Sequence, residues 1–182
     1  IDGVDYLPPL PKRQAPERVR DWPSLLAEWR ARLGRDIPSL HCSKLGLPEA
    51  AMGLLGAQRA PFPETLAFPM RDGSNGIVGV RLRNVAGKKW AVTGSHQGLF
   101  IPQCDPQPVA YLVEGPTNTA AGLAMGVFCI GRPNNVGGIF DINALFKRLN
   151  IRKAVIVGDT DKDKSRPDGS KFNPGADGAC AL

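Results

Sequence analysis

Two short apolar runs, each leading into carboxylates, limit what this chain can fold into more than any other feature. The first, Val109 to Val113, runs into Glu114; the second, Ala154 to Val157, runs through Gly158 to Asp159 and Asp161. Runs that are hydrophobic without alternation suit strands covered on both faces, as in a parallel sheet. The stretch between them has room for two helices and one more strand, so the region reads as α/β. Right-handed crossovers then set the Val109 and Ala154 strands side by side. In open α/β sheets, ligands gather outside the carboxyl ends of the strands, where Glu114, Asp159 and Asp161 fall. Residues two apart in extended chain share a face, so Asp159 and Asp161 point the same way. Three converging carboxylates repel one another, and a hard divalent cation with oxygen ligands relieves the repulsion.

Upstream, residues 1–20 are rich in proline and charge and read as a linker or an extended arm. Trp22 to Leu33 reads as a helix, with Asp21 as its cap, Pro23 in its first turn and Gly34 at its end. Leu25, Trp29 and Leu33, with Leu26 beside them, form a core-facing stripe. A second helix is expected from about Pro48 to Leu55.

From residue 65 the period changes. TLAFPM, a turn at Asp72 to Gly76, IVGVRLRNV, a turn near Ala86-Gly87 and KWAVTG read as an antiparallel meander. Alternation places Val78, Val80 and Leu82 on one face and Gly79, Arg81 and Arg83 on the other. From Arg71 to Lys89 there are five basic residues against one acid, Asp72. That bias marks a candidate phosphate-facing surface made of Arg81, Arg83, Lys88 and Lys89, although arginines on a half-buried strand are also ordinary solvated groups.

These pieces together resemble the catalytic core of bacterial and phage DNA primases, in which a small α/β subdomain precedes a Toprim domain. The matching residues are Phe68-Pro69-Met70-Arg71-Asp72, Gly76, Gly79, Arg83, Lys89-Trp90, Gly94-Ser95, Leu99-Phe100, Glu114-Gly115 and the DTD at Asp159 to Asp161. The resemblance spans about residues 45–182 and is nearest to phage-type and plasmid-type primase–helicases. It implies a linker over 1–20, an N-terminal α+β subdomain over 21–105, and a mainly parallel, Rossmann-like Toprim domain over 106–182, incomplete at its C-terminal side. It also implies catalytic and metal-binding roles for Glu114, Asp159 and Asp161 with two Mg²⁺ or Mn²⁺ ions, and phosphate contacts for Arg83 and Lys89. The implied partners are single-stranded DNA, NTPs and a replicative helicase, fused or separate. Asn118 stands where primases usually carry aspartate, and the loop after Asp161 is longer than usual.

Further candidates for nucleotide contact are His96 in GSHQG, Arg132 with Asn134 and Asn135, and the loop lysines Lys162 and Lys164. Asp163, Asp168 and Asp177 add carboxylates near the site; Asp163 reads as solvated rather than as a further metal ligand, and Asp177 as a helix cap. His41 beside Cys42 has no metal-ligand spacing, and the four cysteines form no CxxC, so no zinc site is expected. Absence of a signal peptide or an apolar span, with reduced thiols, points to the cytoplasm. A net charge of +6 favours a polyanionic partner. Two alternatives stay open from the residues alone: another Toprim metal-dependent enzyme such as a nuclease, and a non-catalytic single-stranded DNA-binding part of a replication protein. A topoisomerase would need a tyrosine nucleophile, and neither Tyr6 nor Tyr111 is suitably placed.

Overall fold

The computed structural model describes residues 20–134, 137–158, 164–165, 168 and 170–172. The proposed arm up to residue 19, Asn135, Asp159, Asp161, Lys162, Asp163, Asp177 and Cys180 lie outside the described residues.

Helix α1 (Trp22–Leu33) forms where its local signals place it. Asp21 Oδ1 accepts from the Ser24 amide at 3.1 Å and Oδ2 from the Ser24 hydroxyl at 2.7 Å. Those bonds stabilise the charged carboxylate and hold Asp21 below its ordinary pKa. Two shorter helices follow, α2 (Ser39–Leu45) and α3 (Glu49–Gly53). The expected second helix therefore stops short of Leu55, and α2 has no counterpart in the sequence reading.

Strands β1 (Gln58–Arg59), β2 (Thr65–Arg71), β3 (Ile77–Asn84) and β4 (Lys89–Ala91) make an antiparallel sheet in that order. One face packs Ala67, Val80 and Leu82 against Trp22, Leu26 and Trp29 of α1. The other packs Leu66, Phe68 and Met70 against Met52, Leu55, Phe100 and Ala120. Register pairs Phe68 with Arg81 and Leu66 with Arg83, so both arginines share this second face. The expected alternation fails at Val78. The register slips between Met70 and Arg71, and Val78 packs with the Phe68 cluster while Ile77 joins Val80 and Leu82. One extra residue in a strand reverses the facing of everything beyond it.

The second sheet is parallel, with β5 (Val109–Glu114) between β6 (Cys129–Arg132) and β7 (Lys153–Ile156). Helix α4 (Gly115–Ala124) joins β5 to β6, and α5 (Ile139–Leu149) joins β6 to β7. Ala110, Leu112, Phe128 and Ile130 pack under Ile142 and Leu145 of α5. The β5 and β7 strands are neighbours, as expected. Coverage of β7 on both faces is not found among the described residues, where Ala154 and Ile156 are exposed. Within the expected loop, β8 (Lys164–Ser165) pairs with β9 (Lys171–Phe172), and Asp168 is a turn residue that accepts from Ser170 N and Oγ.

Two residues stitch the sheets together. Leu99 exchanges both backbone bonds with Arg71 at 2.7 and 2.8 Å, and Phe100 does the same with Gly131 at 2.8 and 3.0 Å. A second clasp lies at the β2–β3 turn. The Gly73 amide donates to Asp141 Oδ1 at 3.0 Å, and the Gly73 carbonyl accepts from Arg148 Nε at 3.2 Å. A methyl on Gly73 would lie 2.6 Å from Ala144 Cβ, so only glycine lets the turn approach α5 this closely. Asp141→Ala is expected to cost about 1–2 kcal/mol, because the part-buried Gly73 amide loses its acceptor. An unchanged melting temperature would show that the clasp contributes nothing.

Candidate active site

A concavity of about 310 Å³ lies between the two sheets. The antiparallel sheet contributes Arg81, Arg83 and Lys89 to its wall; the parallel sheet contributes Glu114 and the start of α4. Phe100, one of the two stitching residues, and Pro133 close it. Glu114 reaches this place because β5 ends on it and the chain turns sharply at Gly115, whose φ of 72° is the left-handed conformation that glycine adopts without strain. Pro116 then occupies the first turn of α4, where a missing N–H costs nothing. The Thr119 hydroxyl donates back to the Gly115 carbonyl at 2.7 Å and fixes the turn.

Three cations and one carboxylate share the wall. Among the described residues the Glu114 side chain has no hydrogen bond or ion pair, and no carboxylate pairs with Arg81, Arg83 or Lys89. The Nε atoms of Arg81 and Arg83 are buried and have no hydrogen-bond partner. Three cations against one carboxylate leave the wall net positive, which suits an anion. A phosphate supplies oxygens in the geometry that guanidinium prefers.

The half-exposed Glu114 is a hard oxygen donor with no competing internal partner, which fits a Mg²⁺ or Mn²⁺ ligand. Among the described residues no cluster of three His, Cys, Asp or Glu groups forms a metal site. Register pairs Leu112 with Ile156, and the Val157 amide donates to Leu112 O at 2.9 Å. The β7 chain thus runs alongside β5 towards Glu114, and Asp159 follows Gly158 directly in sequence.

The remaining candidates are scattered. Lys88 turns away from the concavity and sets its ammonium 5.6 Å from the Trp90 ring centroid. His96 is exposed and is not part of the wall; its amide donates to Val78 O at 3.0 Å. Arg132 ends β6 beside Glu114 in register, is 1% exposed, and stays behind the wall that Pro133 forms. Asn134 donates to Gln97 Oε1 at 3.0 Å and accepts from the Gly137 amide, which makes it a turn residue. Lys164 opens β8. Sequence reasoning did not single out Phe100, Pro116, Thr117 and Pro133 as wall residues; the Leu99-Phe100 pair in the primase-like motif was the available signal. Asn118 also lines the wall. Of the described cysteines, Cys129 is buried, which pushes its thiol up to about 12, and nothing suggests reactivity.

No family model matches the chain, and no curated protein matches it. Solved structures do. The structure of the DnaG catalytic core superposes with a TM-score of 0.57 at 14% identity, over 77% of this chain and 61% of that one. The DnaG primase catalytic domain bound to single-stranded DNA gives the same TM-score and identity, over 77% and 60%. The fold is that of a DnaG-type primase catalytic core. The chain spans about three-fifths of the length of these primase cores. The order of elements, an antiparallel sheet with helices followed by a parallel sheet, is the expected α/β arrangement. Among the described residues no helix of this primase-like fold is long and apolar enough to cross a membrane.

Proposed function

We propose that the chain is the catalytic part of a primase-type nucleotidyltransferase, which makes RNA primers on single-stranded DNA. The observation that carries this reading is the shared wall of Arg81, Arg83, Lys89 and Glu114, three cations and one carboxylate on a single concavity. Residues 21–105 supply the basic wall and residues 106–182 the acidic one, so we read these as the two working parts. Glu114, Asp159 and Asp161 hold Mg²⁺ or Mn²⁺. Such ions, when bound, stabilise the charge on the attacking and leaving oxygens of an in-line displacement. Arg81, Arg83 and Lys89 grip the triphosphate and the template backbone, which positions the strand without reading its sequence. His96, Lys88, Lys162 and Lys164 serve only as outlying contacts for the same polyanion, and Arg132, 1% exposed, backs the wall from behind. A replicative helicase, fused or separate, is the proposed protein partner, and the cytoplasm the proposed compartment.

The test is incubation with a single-stranded template, NTPs and Mn²⁺. New oligoribonucleotides support the reading. A shortened template instead identifies a nuclease, and a gel shift without turnover identifies a binding module. The basic wall has its own expected outcome. Arg83→Ala and Lys89→Ala should each weaken single-stranded DNA binding for all sequences and reduce the salt slope by about one unit per lost phosphate contact. Folding should change by less than about 0.5 kcal/mol, since neither side chain has a partner among the described residues. Unchanged affinity and slope in both variants would remove the wall from the nucleic-acid path.

A further inference from the structure

On the antiparallel-sheet side lies a second concavity, of about 390 Å³, that shares no wall residue with the first. We propose that it is a second nucleotide-binding pocket, one that takes a single base with its phosphate.

Four observations meet there. Phe62 projects from the wall and is 43% exposed, yet it is held in place by two tryptophans. Its ring centroid lies 6.4 Å from Trp29 and 6.1 Å from Trp90, both edge-to-face. An exposed aromatic braced in this way is a stacking platform, which accepts any base because every base has a π-face. Arg32 and Arg59 stand at the same concavity, and neither makes an ion pair among the described residues. Glu64 is the one carboxylate on the wall, so two guanidinium groups leave it net positive and suited to a phosphate.

The fourth observation is His41, which lines the concavity and is 3% exposed. Its Nε2 lies 2.9 Å from the Glu64 carbonyl, which can only accept, so Nε2 carries the proton. Nδ1 is then an acceptor, and it is buried with no partner. Bases present N–H donors, which is the group this nitrogen lacks. Glu64 itself sits at a φ of 46°, a costly conformation for a residue with a side chain. Its carbonyl is pinned by His41 and by the Val85 amide at 3.1 Å. Prolines 61 and 63 flank Phe62 and stiffen the segment.

The ligand is either a free nucleotide or one residue of a nucleic-acid strand, and two probes separate them: AMP and the octamer (dA)8. Each is titrated by tryptophan fluorescence, since Trp29 and Trp90 adjoin Phe62, and by calorimetry. The background is Arg83→Ala/Lys89→Ala, which disables the first concavity. Saturable binding should persist in that background and weaken about tenfold or more when Phe62→Leu or Arg59→Ala is added. Phe62→Leu keeps apolar bulk, and its melting curve reports whether the wall remains folded; Arg59→Ala tests the same pocket through an exposed side chain. Weakening with AMP assigns a free nucleotide, and weakening with (dA)8 alone assigns a strand. The proposal is overturned if neither probe binds in the background, or if binding there is indifferent to both added substitutions. Failure of the first reading looks different, because the Arg83→Ala/Lys89→Ala protein would then bind as the unaltered chain does.

Discussion

Glu114→Gln should abolish primer synthesis while leaving the protein folded. The substitution keeps the size of the side chain and removes only its charge and its capacity to take up a proton. Where such a group handles the proton of an attacking hydroxyl, its loss costs about a hundredfold or more in rate. Where it holds a metal, an amide oxygen is a weaker ligand for a hard cation, and the loss is at least as large. Stability should change by less than about 0.5 kcal/mol, because the Glu114 side chain bonds to nothing among the described residues. DNA binding through Arg81, Arg83 and Lys89 should persist, and relief of charge repulsion on the nucleic acid would make it slightly tighter. A variant that still makes primers at the original rate would remove Glu114 from the chemistry. A variant that melts several degrees lower would assign it a structural role instead.

Gly131→Ala should damage both the fold and the candidate site with a single methyl. Gly131 is buried on β6, where it exchanges both backbone bonds with Phe100. A Cβ there would meet the Thr119 hydroxyl, the Gly115 carbonyl at 3.0 Å and Phe100 Cβ at 3.0 Å. Two of these three contacts make the turn that aims Glu114, and the third is the strand that joins the sheets. Relief requires the backbone to move, so overpacking should cost about 1–3 kcal/mol. For a chain of this size that lowers the melting temperature by about 2–4 °C per kcal/mol. Activity should fall further than stability, since the shift is delivered to the turn below Glu114, the proposed catalytic carboxylate. Gly53→Ala is the matched control: it lies on α3 with open space at its Cβ position and should be neutral or stabilising. Equal melting of Gly131→Ala and the unaltered chain would show that the junction has slack the contacts do not suggest.

Helix α1 was legible to the residue. Its cap, its proline and its terminal glycine all act within one turn of the positions they control, so no distant contact is needed to read them. Half of the expected stripe holds: Leu26 and Trp29 are buried, Leu25 and Leu33 are only partly covered, and Trp22, which the stripe did not include, is buried beside them. Glu114 at the end of β5 was legible for a related reason: an unbroken apolar run that stops at a carboxylate marks a strand end whatever the strand packs against. Strand β1, at two residues, was not legible, because it exists only through its pairing with β2. Nor was His41 legible as part of a cavity wall, since Glu64, its partner, is 23 residues away.

The sequence by itself determined helix α1, the meander strands β2 and β3 and the parallel strands β5 and β7, that β5 and β7 lie side by side, and that Glu114 stands at the end of β5. It also determined that Arg81 and Arg83 share a face, because alternation along a strand is a local property. Only the tertiary structure decided that this face looks at Glu114. That outcome depends on the Leu99–Phe100 stitch and on the clasp at Gly73, each a contact between residues far apart in the chain. Local propensity carries no information about such pairings. They are selected by which arrangement buries the two sheets' apolar faces together and leaves the fewest backbone groups unbonded.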